Sequence, residues 1–271
     1  MPHRDLNGAR AAFATRDVEL SRISHSGISE RNNESTNRHI KSVIGAGLDG
    51  VAISFALICV VVGAGYGWGV VLVMGVAVQL ASGISMGFGI YLSEDAELQY
   101  IKRERLREEW ELENHPEGEL QEMVEIYVEN GFSDEDATSV IGIMARYKEF
   151  FVDHMLVQEL GLLPPSLAES PCRNGVIAAL SFILFGSVPL ISFLVFSQIS
   201  WSGFNGSFLI TVIATAIAVG ILGAIKARYT HEPWWRRCCL ALVSVALTAV
   251  AAYVLGLGLS KIITVDCLNR V

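Results

Sequence analysis

Glu94–Glu129 reads EDAELQYIKRERLREEWELENHPEGELQEMVEIYVE, a charged stretch set between long apolar runs. Its placement decides the architecture: water-soluble helices inserted into a chain otherwise built to cross a membrane. Carboxylates recur within it at helical spacing, Glu108 with Glu111 and Glu119 with Glu122. Residues three apart share one face of a helix. Two such pairs on facing helices make an oxygen cage suited to a divalent cation. The competing reading is a solvated, charge-laced hairpin, which Lys102, Arg103, Arg105 and Arg107 favour along its first turns. Basic residues then cease until Arg146, so the later carboxylates repel one another unless a cation lies between them.

The rest of the composition agrees with a membrane protein. Hydrophobic residues make up 52% of the 271, charged residues only 18%, and the mean hydropathy is +0.44; soluble domains carry nearer 25% charge. Charge is also segregated. Of 28 acidic residues, 20 lie between Glu94 and Glu169 with six Lys or Arg, which leaves that segment at −14 in a chain of net −8. Nucleic acid is excluded as a partner for such a surface. Five cysteines (Cys59, Cys172, Cys238, Cys239, Cys267) lie in or beside apolar runs with no zinc spacing, so neither a disulfide framework nor a thiolate site is indicated.

In chain order, residues 1–41 are polar and too poor in apolar surface to fold alone, and read as a disordered cytosolic tail. They lack the apolar core of a signal peptide, so the first membrane helix is expected to direct insertion. Five runs follow, at 43–65, 69–93, 174–199, 205–226 and 238–260. Each is long enough for a bilayer core, which takes roughly 20 residues. The links at 63–69 and 200–206 are uncharged, whereas Arg38 and Lys41 precede the first run and Lys226, Arg228, Arg236 and Arg237 fill the link between the last two. The positive-inside rule then puts the N-terminus and the acidic insert in the cytosol and a short tail, 263–271, on the far side.

The insert, 94–170, reads as three helical regions. The first runs out of the second membrane run to about Asn114 and is broken at His115-Pro116. A second ends at Asn130-Gly131. Ser133 caps a third, which continues through Tyr147–Leu160 until Gly161 and Pro164-Pro165 close the domain. The expected fold is therefore an all-α membrane protein: transmembrane helices 1 and 2 (42–93), the acidic domain, then helices 3 to 5 (171–262).

Asp49, in GAGLDGVAISF, is the one carboxylate inside the five runs. A carboxylate there costs roughly 2.5 to 3.5 kcal/mol to insert and marks an ion or proton path, unless it merely reaches back to water. Met86, in ASGISMGFG, offers a thioether to a borderline metal. Alone, such a methionine is ordinarily packing. Glu159 can close the cage from the third region, with Met155 one turn earlier and His154 beside it. All-carboxylate ligation suits hard or borderline ions such as Fe²⁺, Mn²⁺, Zn²⁺ or Co²⁺ and separates them poorly. No nucleophile motif, phosphate loop or dinucleotide fingerprint is present, which favours transport over an enzyme.

These residues resemble the vacuolar iron transporter family from about Lys41 to Gly256. The resemblance is carried by Asp49-Gly50, GISMG (83–87), REEWELENHPEGELQEM (107–123), QELGLLPP (158–165) and KARYT (226–230). It implies five transmembrane helices, a homodimer in lipid, and a cytosolic three-helix metal-binding domain between helices 2 and 3. It further implies that Fe²⁺ is moved from cytosol to a vacuole-like compartment in exchange for protons. By matching positions, the domain's ligands would be Glu108, Glu111, Glu119, Glu122 and Glu159 with Met155, and Asp49 and Met86 would line the path across the dimer axis. The chain departs from the family at Leu156, Val78 and Leu240, where relatives often carry a second methionine and two further acids. Proton coupling would then fall to Asp49 or to polar neighbours such as Gln79. The alternatives are a broad Mn²⁺/Fe²⁺/Zn²⁺ transporter and a membrane-anchored metal buffer or sensor without flux.

Overall fold

The computed structural model describes residues 11–13, 15–25, 34–165, 170–198, 206–230 and 233–269. The Ser/Asn-rich stretch at 26–33 and nearly all of the expected link at 200–206 lie outside them. The described chain is helical throughout: α1 (Val18–His25), α2 (Glu34–Gly63), α3 (Trp68–Asn114), α4 (Pro116–Glu129), α5 (Asp134–Met144), α6 (Lys148–Gln158), α7 (Pro171–Phe196), α8 (Gly206–Thr230) and α9 (Trp234–Asn269). Helix α1 falls within the stretch whose composition reads as a tail. Its eight residues are too few to hold together alone. Five helices, α2, α3, α7, α8 and α9, are long and apolar enough to cross a membrane.

The backbone of the membrane part is the packing of α3 on α7. Val71, Gly75, Gln79, Gly83 and Gly87 recur every four residues and form the buried stripe of α3. Small residues in such a stripe let two helices approach closely, which is how helices associate where lipid is as apolar as leucine. The seam is tight at Gly87 and Gly175: a Cβ at Gly87 would lie 2.8 Å from both the Ala179 Cβ and the Gly175 carbonyl oxygen, and one at Gly175 2.6 Å from the Gly87 carbonyl oxygen. Gln79 sits at the crossing of three helices. Its amide donates to the Phe182 carbonyl of α7 at 2.9 Å, and its oxygen accepts from the Ser54 hydroxyl of α2. A second apolar core joins α2 (Val51, Phe55, Cys59) to α8 (Ala218, Val219, Leu222) and α9 (Ala241, Val245, Ala249, Ala252).

Helix α3 does not stop at the membrane. It runs unbroken for 47 residues, about 70 Å at 1.5 Å per residue, more than twice the thickness of a bilayer core. Its polar second half is the first wall of the acidic domain. The chain turns at His115-Pro116, with Pro116 in the first turn of α4, where its missing N–H costs nothing. Ser133 caps α5 by accepting from the Asp136 N–H at 3.1 Å. The third helical region divides in two, because the backbone turns at 145–147 before α6 begins. Met123, Val124, Ala137, Ile141, Phe151 and Met155 form a small core among α4, α5 and α6, with Leu112 of α3 packed against it. At the other end, α9 extends helical to Asn269, through most of the stretch read as a short tail.

Candidate metal centre

The acidic helices are held in register by cation bridges between the extension of α3 and α6. Arg105 of α3 donates to Asp153 at 2.8 Å and to Glu149 at 2.6 Å, both on α6. Lys148, at the start of α6, returns to Glu109 of α3 at 2.8 Å and also pairs with Glu113. Individually such half-exposed pairs contribute little. Together they set α6 against α3, so that Glu159, at the C-terminal cap of α6, arrives opposite Glu108.

Glu108, Glu119 and Glu159 then converge, each offering a carboxylate oxygen, with all three oxygens within 4.8 Å of one another. Oxygens on opposite sides of a divalent ion, each about 2.0 to 2.4 Å from it, are about 4 to 4.8 Å apart, so the span suits one ion. Glu108 has no exposed side-chain surface. Its Oε2, and the Oε2 of Glu159, are buried without a hydrogen-bond partner. A buried charged oxygen with no partner is costly, and a bound cation would offset that cost. The residues therefore fit a divalent cation.

The electrostatics carry the same message. Burial, then the Glu159 charge, pushes the Glu108 carboxyl up to about 7. Burial and the charges of Glu122 and Glu119 push Glu159 to about 6. Burial, then Glu111 and Glu122, raises Glu119 above its ordinary value. Acids this close raise one another's pKa, and a cation between them would work the other way.

The other expected ligands stand differently. Glu111 is turned to Arg107, whose Nη1 lies 2.7 Å from its Oε2. Glu122 is exposed and acts on the cluster by its charge. Met155 is fully buried in the domain core with Met123 and Phe151. His154 is engaged elsewhere: its Nε2 lies 2.7 Å from the Tyr127 hydroxyl, and burial lowers its pKa.

In the membrane part, Asp49 is exposed on the face of α2 that also bears Gly45 and Ile53, one turn to either side. Met86 is half-buried, packed against Ala46, Ala178 and Phe182. Within one chain these two side chains therefore belong to different surfaces.

Comparison with known proteins now bears on this arrangement. A family model described as the VIT family matches residues 40–257. The chain belongs to the VIT family. It is 37% identical to a vacuolar iron transporter of Toxoplasma gondii over 93% of its own length and 88% of that protein's. It is also 36% identical to one from Plasmodium berghei over 86% and 88%, and 31% identical to vacuolar iron transporter 1 of Oryza sativa over 79% and 82%. With five apolar helices, this VIT-family chain is an integral membrane protein.

Three features of this VIT-family chain become plain only from the packing of its helices. Gln79, read as a possible proton relay, is 4% exposed and committed to Ser54 and the Phe182 carbonyl. Both polar atoms of the amide are thus engaged across helices. Glu94, where α3 leaves its apolar half, accepts from the buried Asn174 amide at 2.7 Å. Arg107 reaches forward along α3 into the cage, not only back to the preceding turn. The signal for Arg107 was present in its spacing to Glu104 and Glu111, three and four residues away.

Proposed function

We propose that this VIT-family chain moves Fe²⁺ out of the cytosol into a vacuole-like compartment, as a homodimer and in exchange for protons. The observation that carries the reading is the convergence of Glu108, Glu119 and Glu159, two of which also hold a buried, unpartnered carboxylate oxygen. The relatives' names supply the cargo, iron, and the compartment, the vacuole. The cage shares α3 with Met86, 22 residues and about 33 Å away along one helix. Acidic helices outside the bilayer gather the cation, and the membrane helices pass it on. The basic residues Lys41, Lys226, Arg228, Arg236 and Arg237 favour a cytosolic acidic domain.

Asp49 supports both the path and the dimer. A carboxylate on the outward face of a membrane helix would meet lipid at a cost of roughly 2.5 to 3.5 kcal/mol, which a second copy of α2 across a polar seam relieves. On this reading the paired Asp49 side chains receive Fe²⁺ from the cage, Met86 of each subunit follows, and protons from an acidic lumen replace the metal. Glu111, Glu122 and Met155 complete the domain's ligand set once the ion is bound. A carboxylate donor set also admits Mn²⁺ and Zn²⁺. Proteoliposomes loaded with a metal-sensitive dye provide the test, with Fe²⁺, Mn²⁺ and Zn²⁺ compared with and without a pH gradient. Asp49→Ala is expected to abolish flux. Uptake that persists in that variant removes the path, and Fe²⁺ flux indifferent to the gradient removes the antiport.

A further inference from the structure

Glu108 is divided between two environments. Its Oε2 is buried and unpartnered, its Oε1 accepts from Arg107 Nη2 at 2.6 Å, and one of its oxygens lies within 4.8 Å of an oxygen each from Glu119 and Glu159. The same guanidinium donates from Nη1 to Glu111 at 2.7 Å and from Nε to Glu104 at 2.9 Å. One side chain thus spans three carboxylates, two of which belong to the expected ligand set. Arginine does not lose its proton in proteins. Arg107 is therefore a permanent positive charge at the wall of a site built for positive charge. Its side chain is 41% exposed, whereas that of Glu108 is wholly buried. The guanidinium can therefore swing toward water about its Glu104 contact without disturbing the domain core.

We propose that Arg107 is a built-in competitor for the metal cage, occupying Glu108 and Glu111 in the metal-free protein and stepping back to Glu104 when an ion enters. The proposal deepens the cage reading above and rests on it. Metal capture then costs the breaking of two charge-assisted hydrogen bonds and the approach of two like charges. The consequence is a weakened site that loads only when divalent ion is plentiful and gives it up readily. Such a site suits supply to a membrane path, where a tight chelator would hold its ion.

The test uses full-length protein in detergent, titrated calorimetrically with Mn²⁺. Arg107→Gln removes the charge at an exposed position, and Arg107→Lys keeps the charge but loses the planar fork that reaches Glu104, Glu108 and Glu111 together. With an ion about 5 Å from the lost charge in a water-like surrounding, Arg107→Gln is expected to bind Mn²⁺ on the order of tenfold more tightly. Arg107→Lys is expected to fall between it and the unaltered protein. In EDTA the thermal midpoint of Arg107→Gln is expected to drop, because Glu108 loses its counter-ion. Tighter binding with a less stable metal-free state is the signature; a purely structural arginine would weaken both. Mn²⁺ affinity unchanged or reduced in both variants overturns the competitor and leaves the cage standing. Absence of Mn²⁺ binding in the unaltered protein overturns the cage itself.

Discussion

Replacing Glu108 with glutamine is expected to stabilise the metal-free acidic domain while abolishing its use of metal. Glu108 is fully buried, and burial with the Glu159 charge raises its carboxyl from 4.5 to about 7. An acid whose folded pKa lies above its unfolded value adds stability when protonated. That contribution is complete below about 4.5 and is lost as pH rises through about 7. A rise of this size corresponds to about 3 kcal/mol of folding free energy forfeited at pH 8. Glutamine has nearly the same shape, carries no charge, and can donate to the Glu159 carboxylate. Hydrogen exchange on EDTA-treated protein gives the local opening free energy of α4 and α6, with intrinsic rates corrected for pH. At pH 8 their amides should be about a hundredfold better protected in Glu108→Gln than in the unaltered chain. At pH 5 most of the difference should disappear, because Glu108 is then largely protonated. Equal or weaker protection of the variant at pH 8 would refute the claim that Glu108 is held against its own stability.

Metal binding should weaken as the cage protonates. With Glu108 near 7 and Glu159 near 6, Mn²⁺ affinity is expected to fall about ten- to a hundredfold between pH 7.5 and 5.5 by calorimetry, and a flat profile contradicts the assignment. In the membrane part, Gln79→Leu should lower stability by about 1 kcal/mol by stranding the Ser54 hydroxyl. A thermal midpoint in detergent that stays level or rises would show that these hydrogen bonds contribute nothing. Gly87→Val should cost more than about 2 kcal/mol, since its Cβ would meet Ala179 and Gly175 at 2.8 Å. Gly89→Ala, with nothing within 4 Å, should be tolerated. Equal behaviour of the two in size-exclusion profiles would argue against a tight α3–α7 seam.

The apolar runs, the break at His115-Pro116 and the Ser133 cap were legible because each is written in neighbouring residues. So was the face shared by Glu108 and Glu111. What spacing does not disclose is that both share the Arg107 guanidinium while only Glu108 joins Glu119 and Glu159. That outcome depends on where α6 docks, and docking is set by Arg105 meeting Asp153, 48 positions apart. The outward face of Asp49 is hidden for the same reason: it follows from which sides of α2 the other membrane helices cover. Gln79 is polar in a membrane run, and polarity alone does not disclose its partners on α2 and α7.

The uninterrupted course of α3 turns the protein into a lever. With no break between Met86 and Glu108, the helix transmits tilt as a rod does. A change of about 10° in the membrane half would sweep the cage sideways by about 6 Å at a radius of about 33 Å. Rearrangement of the membrane helices during transport is thereby converted into displacement of the acidic domain relative to the bilayer surface, and force applied to that domain is returned to the α3–α7 seam.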